Sequence, residues 1–478
     1  MLLRQIYDED LAHAAWLLGC QKTGDAIVFD PARDIDRYLD LAQSHGLMIT
    51  AVAETHVHAD FLSGARGLAK STGAMLYLSG HGGDAWAARW AEELPHVMLK
   101  DGDVFSVGGI QFTARHTPGH TPEHLSYIVT DLGGGADEPF GLLSGDFVFV
   151  GDLGRPDLLE RAAGQEGVME QSARELARSA KSFLELPDYL QVLPAHGAGS
   201  ACGKALGAIP QSTVGYERRF NSAMALIDDE DRFVQSILDG QPAPPLYFAR
   251  MKTHNRDGVP ELLSLPEPGE CSPHDLDADG RVVVDVRDWR TFSAGHLPGA
   301  LWSRSGAFFC ASVGSYVMPE ERIALICHPE DVERLTRCLV RIGLDRIEAW
   351  CSIKVFEEAR ASGGITLSSI GDVSLKQLPE RIEEGLPILD VRRTDEYDAG
   401  HLVGAINIPH TRLLEHLETI PGDQGPLLVH CHAGVRSAAA CSVLARKGFD
   451  VLNIPVGWEG LEKTNLPKDG VCEDTEAV

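Results

Sequence analysis

Two sets of residues in this sequence have the types and spacings that chemistry needs. The first is built of histidines and aspartates. Thr55-His56-Val57-His58-Ala59-Asp60 closes an apolar, strand-like stretch, and Pro118-Gly119-His120-Thr121, Ser144-Gly145-Asp146 and Pro194-Ala195-His196-Gly197 each follow another. Strand alternation puts His56 and His58 on one side and Val57 on the other, with Asp60 in the loop beyond. Strand ends that each deliver an imidazole or a carboxylate can converge on one point, and such groups are ligands for a transition metal. A lone histidine at any of these places would more often be structural. A H-x-H-x-D cluster with three later strand-end partners reads as a metal site.

The second set is a thiol loop. Leu427-Leu428-Val429-His430 reads as a buried strand, Cys431-His432-Ala433-Gly434-Val435-Arg436-Ser437 follows, and a helical stretch runs on to Gly448. A cysteine between a strand end and a helix N-terminus faces backbone N–H groups, which favour its thiolate. Arg436 adds positive charge, so a small anionic acceptor would be held there.

The elements that position these groups fall into two halves. Residues 285–301, DVRDWRTFSAGHLPGAL, return 105 residues later as DVRRTDEYDAGHLVGAI. Each copy begins after a β-branched or apolar run and is followed by another strand and a helical stretch, the alternation of a parallel α/β domain. The first repeat carries Cys327-His328-Pro329-Glu330-Asp331-Val332-Glu333 where the second has its thiol loop. Pro329 removes a backbone donor, and the acids repel a thiolate and any anion, so this copy is expected to be an inactive scaffold. The first half mixes short strands with helical stretches up to a proline-rich segment ending near residue 260. The expected domains are 1–255, 256–362 and 363–478.

Composition narrows the classes further. With 478 residues, 44% hydrophobic and 23% charged, the chain is ordinary globular protein. A net charge of −28 with no basic run argues against nucleic acid and anionic lipid as partners. No apolar run is long enough to span a bilayer, and the N-terminus lacks a signal-peptide pattern. A cytoplasmic protein is expected, and ten scattered cysteines do not suggest a disulfide framework.

The order H-x-H-x-D, P-G-H-T, S-G-D, P-A-H-G resembles the metallo-β-lactamase fold across the first half. Gly154-Arg155-Pro156-Asp157 and Ser212-Thr213-Val214 extend the likeness to its persulfide dioxygenase branch. The loop Cys431–Ser437 with the upstream DVR…AGHLVGAINIP resembles rhodanese over residues 366–468. Tyrosine and Cdc25-type phosphatases place arginine six residues after cysteine, whereas Arg436 is five after Cys431, a loop sized for one sulfur atom. Nearly the full length is similar to bacterial persulfide dioxygenase–rhodanese fusions. The resemblance implies an αββα sandwich followed by two rhodanese-like α/β domains with parallel sheets. It implies one Fe(II) per chain on His56, His120 and Asp146, with His58, Asp60 and His196 surrounding and orienting those ligands. The substrates would be a low-molecular-weight persulfide, glutathione persulfide by default, and dioxygen. Sulfite would leave, and Cys431 with Arg436 would make or use thiosulfate.

Arg155 is a candidate for the carboxylate of a peptide-like thiol, against a salt bridge with Asp157 or Asp152. Cys202, six residues beyond His196, is a candidate to hold sulfane sulfur. A homo-oligomer is expected, though no motif carries it. The competing reading is a two-metal, glyoxalase II-like thioester hydrolase with an accessory rhodanese. That chemistry needs H-x-H-x-D-H, and position 61 is Phe.

Overall fold

The computed structural model describes residues 1–161, 167–204, 206–422 and 424–470; the end of the expected last domain, 471–478, lies outside them. The chain divides into two units, Met1–Leu265 with Val340–Gly343, and Pro266–Leu339 with Leu344–Val478.

The first unit holds two six-stranded sheets, each with its strands in chain order. One runs Leu2–Asp8, His13–Gly19, Asp25–Phe29, Met48–Ala53, Met75–Ser79, His96–Leu99; the other runs Val104–Val107, Ile110–His116, Leu125–Thr130, Gly141–Gly145, Gln191–Pro194, Ser212–Thr213. Their inner faces share one core: Trp16, Leu18, Ile27 and Phe29 from the first meet Phe112, Tyr127, Val129 and Leu143 from the second. Period-two alternation decides which residues go there. In Leu125–Thr130 the residues Leu125, Tyr127 and Val129 point into that core while Ile128 packs outward against the opposite layer. Helices Asp36–Ser44 and Ala65–Thr72 cover one outer face through Tyr38, Ala42, Leu68 and Ala69. Helices Met169–Phe183 and Glu230–Leu238 cover the other through Leu176, Ala180, Phe233 and Ile237. The result is an αββα sandwich, mixed α/β as expected.

At one end the two sheets are stitched together. Ala14 N–H donates to Ala195 O (2.7 Å), Gly197 N–H donates to Ala12 O (3.1 Å), and Trp16 Nε1–H donates to Pro194 O (3.1 Å). His56, His120, Asp146 and His196 all stand just past strands that end there. Helix Phe248–Asp257 runs across the expected boundary at 255/256, and the first unit continues to Leu265. The helix stays with the sandwich because Asn255 is buried under it. Its amide donates to His58 O and Phe61 O (both 2.8 Å) and its carbonyl accepts from Ser63 N–H (2.9 Å).

The second unit contains two five-stranded parallel sheets with the same order of strands. The first is Gly269–Glu270, Ile347–Ser352, Ile323–Cys327, Val282–Asp285, Leu301–Trp302; the second is Gly371–Asp372, Val451–Asn453, Leu427–His430, Ile388–Asp390, Ile406–Asn407. The residues that recur along the chain are those that hold this frame. In each copy a strand-end aspartate grips an arginine two residues on, Asp285–Arg287 and Asp390–Arg392, both at 2.6 Å and buried. The same arginine reaches the carbonyl of the glycine in the AGH motif, Gly295 or Gly400. The histidine that follows donates Nδ1–H to Phe292 O or Tyr397 O and stacks on that same ring. The repeat therefore preserves architecture, while the thiol loop is free to differ.

Candidate functional site

The strand-end residues of the sandwich gather into three buried groups: His56, His120 and Asp146; Asp60, His196 and Cys202; Asp30, Glu54 and His58. Within each group the candidate donor atoms lie within 4.8 Å of one another. Asp146 joins the first two, with Oδ2 at 3.8 Å from His56 Nε2 and 3.6 Å from His120 Nε2, and Oδ1 at 3.4 Å from His196 Nε2. Asp60 Oδ2 stands 3.3 Å from His196 Nε2.

The outer edge of each ring shows what the inner edge must be. His120 Nδ1–H donates to Arg155 O (3.2 Å) and His196 Nδ1–H to Ala12 O (3.1 Å); a carbonyl only accepts, so the proton sits on Nδ1. Thr55 Oγ1–H donates to Asp30 Oδ2 (2.9 Å), which leaves its oxygen to accept from His56 Nδ1–H (2.9 Å). All three rings thus carry a proton on the outer Nδ1 and turn Nε2 inward, the orientation that metal-binding histidines take from their outer partners. Burial, reinforced for His56 by the neighbouring His58 and His120, pushes its pKa well down, and burial lowers His120 also, so both rings are neutral. His56 Nε2, His196 Nε2 and every carboxylate oxygen of Asp60 and Asp146 are buried without a hydrogen-bond partner. An unsatisfied buried polar group costs about 1–3 kcal/mol, and so many converging lone pairs fit a bound cation.

His58 differs from its neighbours. Its Nε2 lies 2.9 Å from Glu54 Oε2 and 3.2 Å from Asp30 Oδ1. Burial would lower its pKa, but the two carboxylates outweigh it and hold the ring well above the ordinary histidine value. Phe61, fully buried, lies against His58 and His13, with ring centres 4.4 and 4.1 Å away. It fills with hydrocarbon the position where a sixth ligand would follow Asp60.

Several contributors escape sequence reasoning, His13 and Glu123 among them. His13 sits mid-core in the strand His13–Gly19, bridged to His196, and neither ring nitrogen has a partner. Only a histidine heading an otherwise apolar run hinted at it. Glu123 accepts Val57 N–H through Oε1 (2.8 Å), and its Oε2 is buried and unpaired. Burial raises its carboxyl to about 7. It lines a cavity of about 30 Å³ with Glu54, His56, Trp86 and Trp90. His124 supports the cluster from behind, Nε2 accepting Asp146 N–H at 3.1 Å.

Of the two alternatives for Arg155, the structure shows the salt bridge with Asp157. Its side chain is fully buried, with Nε and Nη2 on Asp157 (3.0 and 2.6 Å), Nη1 on Ala201 O (2.8 Å) and Nη2 also on Pro242 O (2.7 Å). It is a strut tying three loops together. Arg155→Met leaves Asp157 buried and deprived of its main partner, so a loss of about 3–5 kcal/mol is expected in chemical unfolding. Unchanged stability with a raised KM would restore the binding role. Cys202 does come to the cluster, but burial first, then Asp60 and Asp146, push its thiol pKa well up.

In the second unit, Cys431 is almost fully buried at the end of Leu427–His430, and Gly434 N–H donates to its Sγ at 3.1 Å. Gly434 has φ +87°, and a β-carbon there would meet Pro455 O at 2.4 Å, so the loop requires glycine before the helix Val435–Arg446. Arg436 forms two hydrogen bonds to Glu396 (2.5 and 2.8 Å). Burial raises the Glu396 pKa, but Arg436 outweighs it and holds the carboxyl at about 2. The loop's positive charge is thus shared with a carboxylate that the sequence did not flag. In the first repeat, Cys327 is buried and followed by the short turn Pro329–Asp331; burial, then Asp331, lifts its thiol to about 12.

Sandwich and donor set define an α/β protein built to hold metal at its strand ends. Comparison with known proteins agrees. Residues 8–196 match the Metallo-beta-lactamase superfamily and residues 374–464 the Rhodanese-like domain. The crystal structure of a metallo-beta-lactamase from Staphylococcus aureus subsp. aureus COL is 39% identical, covering 73% of this chain and 98% of its own, with a TM-score of 0.66. The chain belongs to the metallo-beta-lactamase superfamily and carries a rhodanese-like domain. The beta-lactamase hydrolase-like protein of Agrobacterium fabrum is 26% identical over 61% of this chain, which spans 66% of that relative's length. The mitochondrial persulfide dioxygenase ETHE1 of Bos taurus is 27% identical over 48% of this chain and 78% of its own. No helix among the described residues is long and apolar enough to cross a membrane.

Proposed function

We propose that this protein is a cytoplasmic persulfide dioxygenase of sulfide detoxification, with one Fe(II) per chain. It oxidises a low-molecular-weight persulfide, glutathione persulfide in the first instance, to sulfite and free thiol. Its C-terminal domain acts as a sulfurtransferase through a Cys431 persulfide. The first rhodanese-like repeat serves as an inactive scaffold, and the chain assembles with copies of itself.

The carrying observation is the donor set. His56, His120 and Asp146 converge on one point, with His56 Nε2 and both Asp146 oxygens lacking a hydrogen-bond partner, while Phe61 replaces the ligand a full second metal site requires. Two imidazoles and a carboxylate are the facial set of non-haem Fe(II) oxygenases, leaving positions for substrate sulfur and dioxygen. The chain's own part is to hold two neutral imidazoles and a carboxylate rigidly and keep the surroundings dry. Thr55, Arg155 O and Ala12 O fix the ring tautomers, and His124 anchors the Asp146 backbone. The bovine relative's name supports the dioxygenase reading.

A second reading rests on Asp60, His196 and Cys202, which with Asp146 could gather another metal, as in a two-metal hydrolase. Anaerobic metal analysis followed by oxygen uptake with glutathione persulfide separates the two. About one iron per chain with steady oxygen consumption is expected. Two zinc ions per chain, no oxygen uptake and thioester cleavage would establish the hydrolase instead.

A further inference from the structure

The first repeat packs on the helix that follows the second repeat's thiol loop. Strand Leu301–Trp302 lies against helix Val435–Arg446, and Trp302 N–H donates to Ser442 Oγ at 2.9 Å. Arg446, at the far end of that helix, donates to Gly299 O (3.0 Å) and pairs with Glu321 (3.3 Å). Helix Phe308–Tyr316 of the first repeat packs on the turn His410–Glu415 of the second, and that turn also packs on the thiol-loop helix. His410 is the point of contact. Tyr316 Oη lies 3.3 Å from its Nδ1, and the Phe308 ring stacks on it with centres 5.2 Å apart. His410 Nε2 has no protein partner among the described residues.

Resting on the sulfurtransferase reading above, we infer that the first repeat completes the Cys431 site: Tyr316 donates to His410 Nδ1, fixing the tautomer in which Nε2–H is a hydrogen-bond donor to the oxygens of sulfite or thiosulfate. His410 is thereby a binding residue for small sulfur oxyanions, and Tyr316 the residue that positions it. Burial, then the nearby Arg436, hold the His410 pKa at about 3, so the ring is neutral and has one N–H to place. Arg436 is shared with Glu396, and a neutral donor near it adds hydrogen bonding without attracting every anion equally.

The step served is a sulfur transfer that needs no outside oxidant or reductant. The sulfite sulfur lone pair attacks the outer sulfur of the Cys431 persulfide. A new S–S bond forms as the old one breaks, and the electron pair returns to the Cys431 thiolate as thiosulfate leaves. Loading from thiosulfate is the reverse.

The test uses the full chain and four proteins: wild type, Tyr316→Phe, His410→Ala and His410→Gln. Sulfur uptake on Cys431 is read as a mass gain of one sulfur atom after thiosulfate. Discharge is then timed with sulfite and with cyanide, an anion without oxygens. Tyr316→Phe and His410→Ala are expected to raise the KM for sulfite and thiosulfate roughly tenfold, about one hydrogen bond to a charged group, with kcat within twofold. Cyanide discharge is expected to be unchanged, and His410→Gln, which keeps an N–H, to recover most of the loss. Unaltered sulfite KM in both variants, or equal losses with sulfite and cyanide, would overturn this inference alone. A wild-type chain that takes up no sulfur on Cys431 would overturn the sulfurtransferase reading and the inference with it.

Discussion

Asp146→Ala is expected to lose its metal and its oxygen uptake together while remaining folded. Asp146 is the residue on which the cluster turns, since one oxygen faces His56 and His120 and the other faces His196. Removing groups that merely orient metal ligands already costs about 10–100-fold in affinity, so loss of this carboxylate should cost roughly a hundredfold or more. Stability should move the opposite way in the metal-free protein. There the carboxylate is a buried charge without a hydrogen-bond partner, and removing it relieves that cost. The variant's apo form should melt no lower than wild-type apo protein. The gain expected of wild type on adding Fe(II) anaerobically, which follows from binding to the folded state alone, should vanish. A variant that still gains stability from Fe(II) and still consumes oxygen would place the metal on other residues.

Cys431→Ala should separate the two halves of the chemistry. The thiol is nearly inaccessible at the bottom of its loop, takes a hydrogen bond from Gly434 N–H, and supplies no ligand to the cluster of the first unit. Transfer of sulfur from thiosulfate to cyanide is expected to fall to background, because no other described cysteine has a comparable loop. Cys327 is held protonated, with a pKa near 12. Oxygen uptake with glutathione persulfide should stay within about twofold of wild type, a change below roughly 0.4 kcal/mol in barrier. Loss of both activities in a folded variant would contradict the division of labour proposed here. Retained thiocyanate formation would point to a second sulfur-carrying thiol.

Much of this molecule is written in local patterns. A β-strand exposes its last residues at the sheet edge, so His56, His120, Asp146 and His196, each just beyond an apolar run, could be seen to converge before any contact was known. The thiol loop is equally local, because Cys431, Gly434 and Arg436 act through the strand and helix on either side of them. The repeated DVR and AGH motifs announced two α/β copies because each aspartate grips the arginine two residues away.

What the tertiary structure alone decided are pairings across long stretches of chain. For Arg155 the sequence leaves ligand binding and a salt bridge open, and Ala201 O and Pro242 O, 46 and 87 residues away, are found on its guanidinium only in the folded chain. Glu396 meets Arg436 across 40 residues, and Tyr316 meets His410 across 94. His13 reaches the cluster only because one end of the first sheet is stitched to Ala195 and Gly197. Periodicity and short motifs report the backbone geometry of one segment, which is why they located the strand ends and the loop. Whether a buried charge there is bare or already satisfied depends on which distant segment packs against it, and only the assembled core determines that.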